Sequence, residues 1–405
     1  MKSQSLSKIT VLVALLLGVM PAISAPVVTN VHGEQRPDTH LVDVYYDLAD
    51  ADSSSVSVRL QVSADGGDNW TVVPVVNVTQ AVGENVTPGH GKHILWNAGA
   101  DWDGQVSKAV MFKVMASDTA PAPDGFALIP AGSFQMGDQS SPLVGYSSEL
   151  PVHTVTVSGF YMAKYETTKE LWDEVRAWGM AAGRGYTDLA AGNGSVASKG
   201  ANHPVHSITW YDMVKWCNAR SEKENLTPCY TVSGATYKAG QNSAVVCNWS
   251  ANGYRLPSEA EWEKAARGGL SAQNFPWGNT ITHSQANYNS SSSYAYDVSP
   301  TRGYHPIWGT GAYPYTSPVG SFAPNGYGLY DMSGNLWEWC WDWFGGYTAG
   351  SQTDPRGPAS GSNRVRRGGG WYGLAFYCRV AYRFNYGPLV TPYFIGFRIA
   401  RSSVP

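Results

Sequence analysis

GYRLPSEAEWEKAARGG, residues 253–269, carries a complete helix signature in one short stretch. Ser258 followed three residues on by Glu261 is a capping box, in which each side chain satisfies a backbone N–H at the start of a helix. Gly268 and Gly269 supply the stop. Two more stretches carry comparable signals. TTKELWDEVRAWGM, from Thr167, has a capping box with Glu170, and DMVKWCNARSEKEN, from near Asp212, carries Trp216 and Cys217 toward a core. The rest of residues 124–405 is rich in Gly, Trp and Tyr and reads as loops and short strands, with no tandem repeat. Three short helices in so much irregular chain predict a compact, loop-rich α+β domain.

Upstream the pattern changes. LVDVYYDL, SVSVRLQV and AVMFKVMAS alternate apolar and polar residues between the turn stretches DGGDNW and TPGHGK, which predicts a small antiparallel β-sandwich over 26–117. This part resembles immunoglobulin or fibronectin-type modules and shows no constellation of His, Cys or paired carboxylates, so it reads as a spacer or adhesion module. DTAPAPDG, residues 118–125, is a linker of Pro, Ala and Asp that places the boundary at 118–123. At the start, Lys2 and Lys8 precede ITVLVALLLGVM and PAISA, the pattern of a secretory signal peptide over 1–25. The chain is therefore expected to be exported. No other stretch approaches the roughly 18 apolar residues of a membrane span.

Net charge is −3, only 15% of residues are charged and there is no basic run, so the electrostatic footprint of a nucleic-acid binder is missing. Five cysteines in an exported chain leave at least one unpaired. Cys229 and Cys247 flank YTVSGATYKAGQNSAVV and are expected to staple a hairpin. Cys217, Cys340 and Cys378 remain, with their pairing open.

Taken in order, GFALIPAGSFQMGD, FYMAKYETTKELW, HPVHSITWYDMVKWCN, GYRLPSEAEWEKAARGG, FPWGN, GLYDMSGNLWEW and RVRRGGGW followed by CR and IGFR resemble the formylglycine-generating enzyme (sulfatase-modifying factor) family. They run from about residue 124 to 401. The resemblance implies a C-type-lectin-like fold, which serves copper oxidases, iron-dependent sulfoxide synthases and plain binding proteins. In the family's enzymes two cysteines five residues apart hold copper, and a serine follows the paired glycines upstream. GGGWYGLAFYC, residues 368–378, puts Gly370 at the serine, Gly373 at the first cysteine and Cys378 at the second. Losing one thiolate of a two-coordinate Cu(I) site removes most of its affinity, which argues against copper. The iron chemistry needs a histidine cluster, and His90, His153, His203, His206, His283 and His305 lack metal spacing.

The resemblance also implies one calcium site at Asp331 and Glu338, with carbonyls from Gly334 and Leu336. A weaker second site would use Asn287 and Tyr288, its expected carboxylate falling at Gly311 and Tyr313 supplying only a carbonyl. The stretch after Trp371 further resembles the variable regions of proteins diversified by retroelements that mutate adenines. In this reading a fixed frame carries fourteen insert positions, of which eight are Tyr or Phe. That route cannot yield Lys, Glu, Gln, Met or Trp, and none occurs among the inserts. Tyr372, Gly373, Leu374, Phe376, Tyr377, Phe384, Asn385, Tyr386 and Tyr393 are therefore expected to form a ligand-binding face for a protein or glycan, with Cys378 as its buried floor. Tyr and Phe give large contact area at low entropic cost while Gly and Asn adapt. The alternative is a formylglycine-generating-type oxidoreductase, or a related metal-dependent oxidase, with Cys378 as its catalytic thiol.

Overall fold

The computed structural model describes residues 26–403 apart from 51–55, 68, 71–74, 76, 103–106, 118–121, 141–144 and 195–198. The expected signal peptide and most of the expected linker thus lie outside the described residues. The chain divides into two compact units between Asp118 and Thr119.

The first unit holds two antiparallel sheets. One orders Val27–Gln35, Leu41–Ala49, Gly89–Asn97 and Val78–Gln80; the other orders Gly83–Val86, Val56–Ser63 and Met111–Ser117. The alternation foreseen from sequence places Val42, Val44, Tyr46, Leu48, Val58, Leu60, Val62, Ile94 and Trp96 in one shared core.

The second unit is mixed α/β with few helices. Helix Glu259–Arg267 starts at the Ser258 and Glu261 capping box and ends on Gly268 at φ 57°. Helix Trp210–Lys223 begins slightly earlier than the pattern near Asp212 indicated, because Thr209 is its cap and Asp212 is the capping-box partner. In helix Lys169–Met180 the cap is Thr168, not Thr167: the Thr168 hydroxyl accepts from the Leu171 N–H, so Glu170 takes no part in a capping box.

Four small sheets surround these helices among the described residues. The one that positions the site runs Phe384–Tyr386, Arg364–Arg367, Trp337–Trp343, Ile395–Gly396, antiparallel except for the last pairing. Trp172 stacks on Trp216 with centroids 5.6 Å apart, and Phe397 meets both edge-on. Buried arginine–carboxylate pairs stitch the loops to this core: Arg379 to Glu149 at 2.8 Å, Arg255 to Glu261 at 2.7 Å, and Arg367 to both Glu259 and Glu263. Removing one partner of such a pair strands a buried charge and costs about 3–5 kcal/mol.

All five cysteines are free thiols. Cys229 nevertheless directly precedes strand Tyr230–Val232, whose Tyr230 pairs with Cys247, so the two thiols are close enough to interact. Among the described residues no helix is long and apolar enough to cross a membrane.

Candidate functional site

Strand Arg364–Arg367 ends in a glycine turn, with Gly368 at φ 90° and Gly369 at φ 71°. A Cβ on Gly369 would stand 2.8 Å from Cys378 Sγ, so only glycine lets the turn close over that thiol. Cys378 is fully buried among Phe275, Ile281, Ala286, Tyr288 and Ala375. Burial first, then the Asp297 charge, pushes its thiol far above the usual range, so it stays protonated. Gly373 is held through its own backbone, donating to Gly370 O and accepting from Asn289 N at 2.8 Å each. A Cβ at Gly370 would press on Asn335 O at 3.0 Å. Cys340 lies in a different core cluster, beside Ala260, Trp262 and Val365, and supplies no second thiol. One buried neutral thiol opposite a glycine does not fit copper.

The surface above this turn is aromatic. Trp371 is fully buried, its Nε1 has no partner among the described residues, and five tyrosines ring it: Tyr304, Tyr313, Tyr315, Tyr372 and Tyr393, at centroid distances of 5.1–6.0 Å. Tyr372 is 52% exposed and Tyr313 49%, with Tyr304 and Tyr393 also exposed. Phe394 stacks on Tyr372 and links this ring to a second patch, Phe384 and Tyr386, on the edge strand.

Of the residues expected on the face, Tyr372, Phe384, Tyr386 and Tyr393 are exposed, and Leu374, Tyr377 and Asn385 are half-buried. Two expectations are corrected. Phe376 is 7% exposed, clasped by Tyr146, Tyr294 and Tyr382 with the Arg379 guanidinium over its ring, and belongs to the core. Gly373 is buried beneath the rim. Tyr304 and Tyr313 were missed as surface residues, although GYHPIWGTGAYPYTS, residues 303–317, is also rich in Gly and Tyr.

The calcium expectation changes at Glu338. Its two oxygens are held by Arg398 at 2.6 and 2.7 Å, and one also accepts from Trp262 Nε1 at 2.7 Å, so that carboxylate is already ion-paired. Asp331 is different: Oδ2 accepts from Gly320 N, but Oδ1 is buried with no partner among the described residues, and burial raises the carboxyl pKa to about 6. An orphaned hard oxygen in that position fits a calcium ligand. At the weaker second site Asn287 Nδ2 donates to Tyr315 O and the Tyr288 carbonyl faces His283 Nε2. Among the described residues no three or more His, Cys, Asp or Glu side chains are grouped to hold a metal, so any calcium there would depend on Asp331 and backbone carbonyls.

Fold and site together define a loop-rich, mixed α/β domain with exposed aromatic loops beside the turn that buries Cys378. The chain belongs to the sulfatase-modifying factor family: residues 111–403 match the Sulfatase-modifying factor enzyme 1-like domain. It is 34% identical over 273 residues to the chaperone protein LppX of Paenibacillus barcinonensis, covering 64% of this chain and 82% of that protein. It is 34% identical over 290 residues to the formylglycine-generating enzyme of Mus musculus, covering 68% of this chain and 75% of the enzyme. Among solved structures it resembles Treponema denticola variable protein 1, with a TM-score of 0.53 and 32% identity over 68% of this chain and 94% of that one.

Proposed function

We propose that the chain is an exported, non-catalytic member of this family whose C-terminal loops recognise a protein or glycan ligand. The observation that carries this reading is Gly373, which stands where the family's enzymes have their first copper-binding cysteine and leaves Cys378 without a partner thiol. Exposed Tyr372, Phe384, Tyr386 and Tyr393 beside that position support a binding face, and the likeness to a variable protein agrees with it. The fold is read as C-type-lectin-like, one calcium ion is assigned to Asp331 with the Gly334 and Leu336 carbonyls, and the first unit serves as an immunoglobulin- or fibronectin-like spacer.

A copper-dependent cysteine oxidase is the second reading, favoured by the likeness to the mouse enzyme. The two separate in one assay: oxygen consumption and aldehyde formation on a peptide carrying Cys-x-Pro-x-Arg, with copper supplied. No turnover above the no-protein blank is expected. Turnover that disappears in Cys378→Ser would overturn the non-catalytic reading.

A further inference from the structure

Six arginines lie between residues 364 and 398, and five of them are accounted for by their surroundings. Arg367, Arg379, Arg383 and Arg398 each hold a buried glutamate. Arg364 is sealed between Trp210 and Trp343 and donates to the Trp341 carbonyl. Arg366 is the exception. It is 6% exposed, no carboxylate or other acceptor among the described residues meets it, and its Nε and Nη1 are buried without a partner.

What surrounds Arg366 is aromatic. Its guanidinium carbon lies 4.2 Å from the Trp337 ring centroid, 4.9 Å from Tyr386, 5.0 Å from Phe384 and 5.4 Å from Phe394. Ring faces attract the cation but accept none of its in-plane N–H bonds. Burial pulls its pKa down to about 10, which still leaves it charged at neutral pH. The fold therefore keeps a cation with unused donors directly under Phe384 and Tyr386, two exposed side chains of an edge strand. Nη2, the guanidinium nitrogen outside the buried unpartnered set, is the direction of approach.

We propose that Arg366 is the charge anchor of the recognition face, and that the face takes a segment of a partner protein in which an Asp or Glu is flanked by apolar side chains. This rests on the recognition reading above. A carboxylate reaching Nη2 would accept a charge-assisted hydrogen bond and neutralise the cation, which none of the surrounding rings can do. The flanking surface favours protein over acidic sugar: Phe384, at 43% exposure, offers nothing to sugar hydroxyls but can bury apolar side chains. Exposed aromatics around an arginine are also the composition of protein-interface hot spots.

The probe is a random-peptide phage library selected on the mature chain, followed by synthetic versions of the enriched peptides. Enriched peptides are expected to carry Asp or Glu beside aliphatic or aromatic residues. Arg366→Gln should weaken their binding about tenfold or more, amidation of the peptide carboxylate should do the same, and the two changes together should cost little more than either. Melting should fall only slightly in Arg366→Met, which gives up the ring contacts but breaks no ion pair. Enriched peptides without an acidic excess, or unchanged binding by Arg366→Gln, overturn the proposal. Arg366-dependent binding of polygalacturonate with no peptide enriched overturns the protein partner and leaves the recognition face standing. Peptide binding indifferent to both Tyr372→Ala and Phe384→Ala sinks the recognition face itself.

Discussion

Tyr372 and Phe376 stand four positions apart in one loop and have opposite fates. The Tyr372 ring leaves half its surface in water, whereas Phe376 fills the space between Tyr146, Tyr294 and Tyr382. Phe376→Ala should accordingly cost about 3–5 kcal/mol of stability, and Tyr372→Ala about 0.5 kcal/mol or less, in denaturant unfolding. Similar losses for the two would remove the distinction between core and rim. Nothing in YGLAFY separates the two rings, because neither helical nor strand periodicity runs through a turn of this kind. Asp342 makes a second residue-level prediction. Its carboxylate is buried and accepts from Glu259 N at 2.9 Å, and burial, followed by the Glu259 charge, raises its pKa to about 7. The folded state therefore holds this proton more tightly than the unfolded chain. The associated stability is complete below about pH 4 and is lost as pH rises through 7, a fall on the order of 4 kcal/mol. Asp342→Asn keeps an oxygen for the Glu259 N–H and removes that titration, so it should melt higher than the parent above pH 7. A parent and variant with parallel pH profiles would contradict the assignment.

Two of the three helices were read from capping signals, which are local chemistry, and the third from its apolar pattern. Ser258 with Glu261 and Gly268 act within a few residues of the helix ends, and the helix falls where they place it. The shift from Thr167 to Thr168 shows the limit of that signal. Two adjacent threonines offer the same hydroxyl, and Thr167 is instead tied by its backbone to Phe397 O and Val205 N. The 229–247 hairpin tests element-level reasoning further. Its strands bring the Cys229 and Cys247 side chains into contact, so in an oxidising compartment the pair should close, with about 3 kcal/mol of stabilisation from the enclosed loop. Thiol titration of the denatured, non-reduced protein should then find three thiols, the five cysteines less this pair. Five titratable thiols would leave the contact a reduced one.

Across the molecule, segments far apart in sequence converge behind the glycine turn. Glu166 accepts from Leu336 N and Asn335 Nδ2, Asp331 from Gly320 N, and Arg398 joins Glu338 to the Ala163, Lys164 and Tyr330 carbonyls. Burial and the neighbouring Asp331 and Glu338 charges raise the Glu166 pKa, so one guanidinium serves three acidic groups. A calcium ion at Asp331 would relieve that excess and stabilise the folded state by mass action. Chelation should lower the melting temperature, added calcium should restore it, and Asp331→Asn should abolish the response; identical melting with and without calcium would refute the site. Glu338→Ala is a poor probe, because it strands Arg398 whether or not calcium binds.

Composition, capping boxes, apolar patterning and the ordered motifs sufficed for the family, the three helices and the alternating strands of the first unit, because each is written in neighbouring residues. Packing alone chose which aromatics line the surface, paired Glu338 with Arg398 and left Arg366 without a carboxylate. Those outcomes depend on groups tens of residues apart meeting in a loop-rich interior, where no sequence period records the contact.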